Sequence, residues 1–185
     1  MNQYAIIIVP PAEICEMVDI YRKRYAQYTS YVIVPHFTVY PSFFIEKGDE
    51  KSILQLLKDT FKGTQSETIK LEKISFFDGK NNVAFFEPDI NSSEFIKGLL
   101  VKATKLLSGM VKNVYDDYNF TPDKFKPHMT IAEKIPNDIF QDVKNELNKL
   151  EKKGSFLVSS VYLFKQQDNS NFWNKVDEIL FSSDR

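Results

Sequence analysis

Cysteine, histidine and glycine are scarce in this chain of 185 residues, and each scarcity removes a class of protein. The single cysteine, Cys15, rules out an intramolecular disulfide framework and reads as a buried structural thiol in a helical pattern. Two histidines and one cysteine lie too far apart in sequence to show the local ligand spacing of a zinc centre, so neither a metal nor a cofactor is expected. The six glycines form no P-loop and no G-x-S-x-G elbow. A net charge of −1 removes the broad basic footprint of proteins that grip long nucleic acid, yet leaves room for a small nucleotide or one RNA terminus. The N-terminal apolar run, Ala5 to Val9, lacks a basic flank and is too short for a signal peptide or membrane span; a cytoplasmic monomer without an obligate partner or membrane contact is expected.

What is present stands out against this background. Pro35-His36-Phe37-Thr38-Val39 has an echo 92 positions later in Pro127-His128-Met129-Thr130-Ile131, and these hold the only histidines of the chain. Proline favours extended backbone before it, and the His-φ-Thr-φ alternation has the period of a strand. Residues two apart on a strand share a face and lie about 6.6–6.8 Å apart. Each segment therefore presents an imidazole and a hydroxyl on one face while Phe37 and Val39, or Met129 and Ile131, anchor the other.

The elements around the motifs repeat as well. Tyr4 to Val9 reads as a buried strand ended by Pro10-Pro11. Ile14, Val18, Tyr21, Tyr25 and Tyr28 then mark a helical face on which Arg22, Lys23 and Arg24 read as solvated. The first motif strand is expected to stop at Pro41. Asp49 caps a short helix with Ile53, Leu57 and Phe61, which Gly63 closes. A slip in alternation before Ile74 and Phe76 suggests a bulge, and Asp78-Gly79 turns the chain into a partner strand, Val83 to Phe86. The second half runs through a helix capped by Ser92 and closed by Gly109, and then a loop with Asp116, Asp117, Tyr118 and Phe120. The second motif, a helix from Asn137 through Leu150 to Gly154, and a hairpin of Phe156–Phe164 with Trp173–Phe181 follow. Helix, motif strand, helix, hairpin, twice over, predicts one domain spanning 1–185 with repeat halves near 12–87 and 92–181. The fold class is α+β: two pseudo-symmetric lobes, each an antiparallel sheet with flanking helices, facing a central cleft.

Metal-free cleavage of a phosphodiester needs a base for the attacking oxygen, an acid for the departing one and donors for the phosphoryl oxygens. Histidine is the side chain that can be neutral in one copy and protonated in another near neutral pH. Threonine hydroxyls can serve as the donors. Lys124 and Lys126 could raise the positive potential at the cleft mouth, with an ordinary solvated loop as the other reading.

The two H-x-T-x segments resemble the paired motifs of the 2H phosphoesterase superfamily, which includes bacterial RNA 2′,3′-cyclic phosphodiesterases, also called 2′-5′ RNA ligases. That resemblance implies a bilobal fold and metal-independent hydrolysis of 2′,3′-cyclic phosphate or 2′-5′ linked nucleotides or RNA ends. It makes His36 and His128 the acid/base pair and Thr38 and Thr130 the phosphate ligands. Tyr40-Pro41-Ser42-Phe43 and Glu133-Lys134 depart from the tails common in bacterial members, and they bear on the substrate. Lys134 is a candidate phosphate contact or an ordinary surface lysine; Tyr40 is a candidate stacking residue if the strand stays regular, or a core residue. The alternative to an enzyme is a non-catalytic protein that captures a nucleotide or RNA end on the same scaffold.

Overall fold

The run Asn2–Ile8 forms β1, which is apolar on both faces because both are covered: Tyr4, Ile6 and Ile8 enter the main core, and Ala5 and Ile7 a smaller cluster opposite. The computed structural model describes residues 2–46, 48–115, 121, 123–149, 154–167 and 170–181. Four helices follow in the described residues, α1 (Ala12–Arg24), α2 (Glu50–Phe61), α3 (Ile90–Leu107) and α4 (Asn137–Leu147). The remaining strands are β2 (Phe37–Ile45), β3 (Glu67–Phe77), β4 (Asn82–Pro88), β5 (Lys112–Asn113), β6 (Met129–Ile135), β7 (Gly154–Val158), β8 (Ser160–Gln166) and β9 (Trp173–Leu180).

They make two antiparallel sheets, ordered β5-β2-β1-β8-β9 and β6-β4-β3-β7, so the α+β bilobal architecture holds. The motif strands β2 and β6 lie one in each sheet. The sheets do not divide at the expected halves 12–87 and 92–181. Instead, the first hairpin, β3–β4, joins the second motif strand, and the second hairpin, β8–β9, joins the sheet of the first. β1, upstream of residue 12, occupies the slot beside β2, as β4 does beside β6. The exchange binds the lobes into one unit. The stretch Phe156–Phe164 likewise is two strands, for the chain changes sheets at Ser159.

Helices cover the outer faces. Tyr21 of α1 meets Phe86 edge-on at 5.5 Å and Phe140 of α4 meets Phe76 at 5.9 Å, both on the four-stranded sheet. Phe61 of α2 and Phe95 of α3 both pack on Phe181 beside the five-stranded sheet. Gly154 allows the close approach of α1 to β7, since a Cβ there would lie 2.9 Å from Ile14 Cδ1. Phe37, Val39, Met129 and Ile131 are wholly buried, and each such side chain contributes about 1.5–3 kcal/mol by leaving water, which anchors the motif strands from behind.

Three local expectations change. Asp89, not Ser92, caps α3 by accepting from the Ser92 amide at 2.8 Å, while the Ser92 hydroxyl accepts from the Lys70 amide of β3 at 2.9 Å. Pro41 does not end its strand but lies inside β2 at a bulge, where two residues, Pro41 and Ser42, face one on β1; proline is tolerated there because no ladder hydrogen bond is asked of it. The slip in β3 is a bulge between Leu71 and Lys73, as its sequence suggests. Asp116, Asp117, Tyr118, Phe120 and Leu150 lie outside the described residues. Among those described, no helix is long and apolar enough to cross a membrane.

Candidate active site

His36 and His128 each sit one residue before their strand, and each ring is fastened in the same way. His36 Nδ1 lies 2.8 Å from the carbonyl of Val34, and His128 Nδ1 lies 2.8 Å from the carbonyl of Lys126. A carbonyl only accepts, so Nδ1 carries the proton in both rings and Nε2 of the neutral ring is left as an acceptor. The twin anchor, two residues upstream each time, fixes tautomer and ring plane together.

A bulge after each threonine repeats the likeness. Thr38 pairs with Ile7 and Tyr40 with Ile6, leaving Val39 extra; Thr130 pairs with Phe85 and Ala132 with Ala84, leaving Ile131 extra. Bulges re-aim side chains beside functional sites. Cross-strand partners share a face. Thr38 therefore stands with Ile7, away from the main core, and Thr130 with Phe85, whose ring touches that of His128 at 5.2 Å. A cavity of about 210 Å³ is lined from both sheets, by His36 of the first motif and Thr130 of the second, with Arg22, Ser30, Ile33 and Glu133.

A protein-family comparison matches residues 10–170 to the model described as the 2′-5′ RNA ligase superfamily. The chain belongs to that superfamily. A Bacillus licheniformis protein provisionally named a phosphoesterase is 25% identical over 182 residues, covering 98% of this chain and 99% of its own. A Staphylococcus aureus protein of the same provisional name is 25% identical over 173 residues, 93% of this chain and 95% of its own. Among solved structures, apo LigT of E. coli superposes with a TM-score of 0.63 at 14% identity over 98% of both chains. LigT complexed with 3′-AMP gives 0.62 at 16% identity over 98% of this chain and 99% of that one. These structural likenesses establish the fold.

In this superfamily member the rings are held neutral. Burial pushes His36 down to about 4 against the pull of the Val34 carbonyl, with lesser contributions from the charges of His128 and Arg22. His128 is also lowered, first by burial and then by the charge of Lys126. The cavity joins His36 to Thr130 of the other sheet, the strand that His128 precedes. Phe77 stands nearly perpendicular to His128 at 5.2 Å, and Lys126 lies over Phe85 and Phe77 while pairing with Glu87 at 3.1 Å. Lys126 is thus a neighbour of His128 while staying exposed to solvent.

The other expected residues are placed differently. Tyr40 does not reach the cleft. The bulge at Val39 turns it into the main core, 4% exposed, where its ring meets Phe43 edge-on at 5.4 Å and its hydroxyl donates to Asn113 Oδ1 at 2.9 Å. Lys134 is exposed and loops out of β6 with a φ of 55°, between Glu133 paired to Val83 and Ile135 paired to Asn82. Glu133, its neighbour, is the residue that lines the cavity, and no ion pair links it to another described residue. Arg22 overturns its expected solvated position, being only 5% exposed. Its sequence signal was the helical face it shares with Val18 and Tyr25, an i+4 and i−3 relation hidden by the neighbouring Lys23 and Arg24. Cys15 is half-buried, its thiol 3.3 Å from the Pro10 carbonyl and pushed up to about 11 by burial, which makes it a poor nucleophile. Among the described residues no three potential metal ligands come together.

Proposed function

We propose that this protein is a metal-independent phosphodiesterase that opens 2′,3′-cyclic phosphates, or cleaves 2′-5′ linkages, at nucleotides or RNA ends. The observation that carries the reading is the matched fastening of His36 and His128 through Nδ1, which leaves Nε2 of each neutral ring as the acceptor, with Thr130 of the second motif lining the same cavity as His36 of the first. Membership of the 2′-5′ RNA ligase superfamily and the fold shared with LigT, which has been solved with phosphate and with 3′-AMP, support it.

The chemistry balances on these groups. One imidazole takes a proton from water as its oxygen bonds to phosphorus. One phosphorus–ribose oxygen bond breaks, and the second imidazole, as imidazolium, gives its proton to that oxygen. The product is a phosphomonoester, and the reverse direction exchanges the two roles. Thr38 and Thr130 donate to the non-bridging oxygens as charge builds on them. Phe77 and Phe85 shield His128 from water on one side, which strengthens these interactions.

The test is a panel of 2′,3′-cyclic mononucleotides, cyclic-phosphate-ended oligonucleotides and 2′-5′ dinucleotides, assayed with EDTA present. Turnover is expected, with His36→Ala and His128→Ala each lowering kcat by about 10²- to 10⁴-fold and the double variant little further. Binding of the panel without product would show a nucleotide-capturing protein instead, and loss of all turnover in EDTA, restored by a divalent ion, would overturn the mechanism.

A further inference from the structure

Arg22 lies beside the histidine pair without belonging to it, and its surroundings give it a defined task. Its guanidinium is held by three described acceptors: Nη1 donates to Asp19 Oδ1 at 3.0 Å, and Nη2 donates to the carbonyls of Ser30 at 2.6 Å and Ile33 at 3.1 Å. Tyr31 stacks on it, 4.9 Å from ring centroid to Cζ. Two of these acceptors are backbone carbonyls of the connection between α1 and β2, the segment whose next carbonyl, that of Val34, receives His36 Nδ1. A buried cation is costly unless its donors are satisfied, and here the backbone of that connection satisfies them.

The same connection reaches the other motif. Thr29 Oγ1 lies 2.9 Å from the Ile131 carbonyl, inside the second H-x-T-x segment, as well as 2.9 Å from the Tyr25 carbonyl. A hydroxyl has one proton, so it donates to one of these at a time, and donation to Ile131 ties the strap to β6. The Val32 carbonyl accepts from the Trp173 amide of β9 at 2.8 Å. Residues 29–34 thus touch the sheets of both histidines, and the connection contains no regular element of its own beyond the 3-10 turn Ala26–Tyr28. Its shape is set by side chains, chiefly Arg22.

We propose that Arg22 is a positioning residue for the reaction: by binding the Ser30 and Ile33 carbonyls together it fixes the strap that orients His36 and seats that ring across from Thr130. This rests on the histidine-pair reading of the site. It asks more of Arg22 than stability. A one-carbonyl grip would leave the fold in place and let His36 Nδ1 lose Val34, and misplacement of a reacting group by about 1 Å costs on the order of 10²-fold. Asp19, Tyr31, His128 and Glu133 are the other charged or titratable groups described around Arg22 and His36.

The test compares Arg22→Lys, Arg22→Gln and Asp19→Asn in the full chain. Arg22→Lys keeps a buried cation, so the fold, but an ammonium on a flexible stem does not reproduce the planar grip on two carbonyls. It is expected to melt cooperatively, to lose about 10²-fold in kcat with KM changed less than about threefold, and to show the His36 ring as a mixture of tautomers in ¹⁵N NMR while His128 keeps its Nδ1–H signature. Arg22→Gln, if folded, should behave alike. Asp19→Asn, which leaves both carbonyl bonds, should keep kcat within about threefold. Wild-type kcat and an unchanged His36 signature in Arg22→Lys would overturn the proposal, as would equal loosening of both rings or an Asp19→Asn effect as large as that of Arg22→Lys. The NMR signature is read without substrate, so it stands or falls independently of whether the chain turns over a cyclic phosphate.

Discussion

Substrate binding should draw a proton into the site. In the free protein His36 is pushed down to about 4 and His128 is lowered too, so at pH 7 both rings are neutral and neither can serve as the acid. Protonating a group of that pKa at pH 7 costs about 4 kcal/mol, at about 1.4 kcal/mol for each pH interval. A phosphodiester anion about 4 Å from the ring returns about 4 kcal/mol at an effective dielectric constant near 20. The two nearly cancel, so the anion brings the pair to half-protonation near pH 7, the poise that general acid/base catalysis needs. A cyclic phosphate diester stays a monoanion across this range, so any proton taken up is the protein's. Titration calorimetry of a slowly hydrolysed 2′,3′-cyclic phosphorothioate at pH 7, in buffers of different ionisation enthalpy, is expected to show uptake of about half a proton, rising as pH falls toward 6. kcat/KM should fall as pH rises above neutrality while kcat holds to higher pH, since the proton is bound more tightly in the complex. Uptake should drop sharply in His36→Gln and His128→Gln. Tight binding with no proton uptake by the wild-type protein would refute the reasoning.

Other consequences are simpler to measure. Because the folded pKa of His36 lies below the ordinary value, the unfolded chain binds more protons between about pH 6.5 and 4; stability should be full above that window and fall by about 3 kcal/mol as pH drops through it, about 2 kcal/mol of which should show in urea melts between pH 7 and 5 and be absent in His36→Gln. Tyr40→Phe should cost about 1 kcal/mol, the hydrogen bond to Asn113, and leave kcat/KM unchanged; a tenfold loss of activity would put Tyr40 back in the cleft. Lys134→Gly should stabilise the protein by up to about 1 kcal/mol by relieving a left-handed residue, with turnover retained, and a large rise in KM would mean that Lys134 touches substrate. Glu133→Gln removes a carboxylate from the cavity and should lower KM for an anionic substrate by about threefold to tenfold; a rise in KM would mean that Glu133 accepts a hydrogen bond from substrate.

The chain's order of residues was enough to place both histidine motifs on strands, to mark α2 through Ile53, Leu57 and Phe61, and to find the bulge in β3, because each of these depends on side-chain period over a few neighbours. It was enough, too, to suggest two antiparallel sheets and the family, since an H-x-T-x pair in two similar surroundings is a local pattern. It failed wherever the outcome depended on a partner far along the chain. The bulge at Val39 that sends Tyr40 into the core is set by pairing with β1, and nothing in Thr38-Val39-Tyr40 announces it. Pro41 reads locally as a stop, but the missing hydrogen bond falls where the ladder has none to make. Arg22 looks like one cation of three until the Ser30 and Ile33 carbonyls close over it.

Sequence by itself determined which side chains are on offer for the proposed chemistry, for two imidazoles and two hydroxyls in H-x-T-x spacing are covalent facts of residue type and order. Only the tertiary structure decided which of the neighbouring side chains share the cleft, because hairpins exchanged between sheets bring Thr130 to His36 and leave Tyr40 and Lys134 outside it. The physical reason is that period and propensity act over a few residues, whereas a face is chosen by the register of distant strands, and one extra residue in that register turns a side chain from solvent to core.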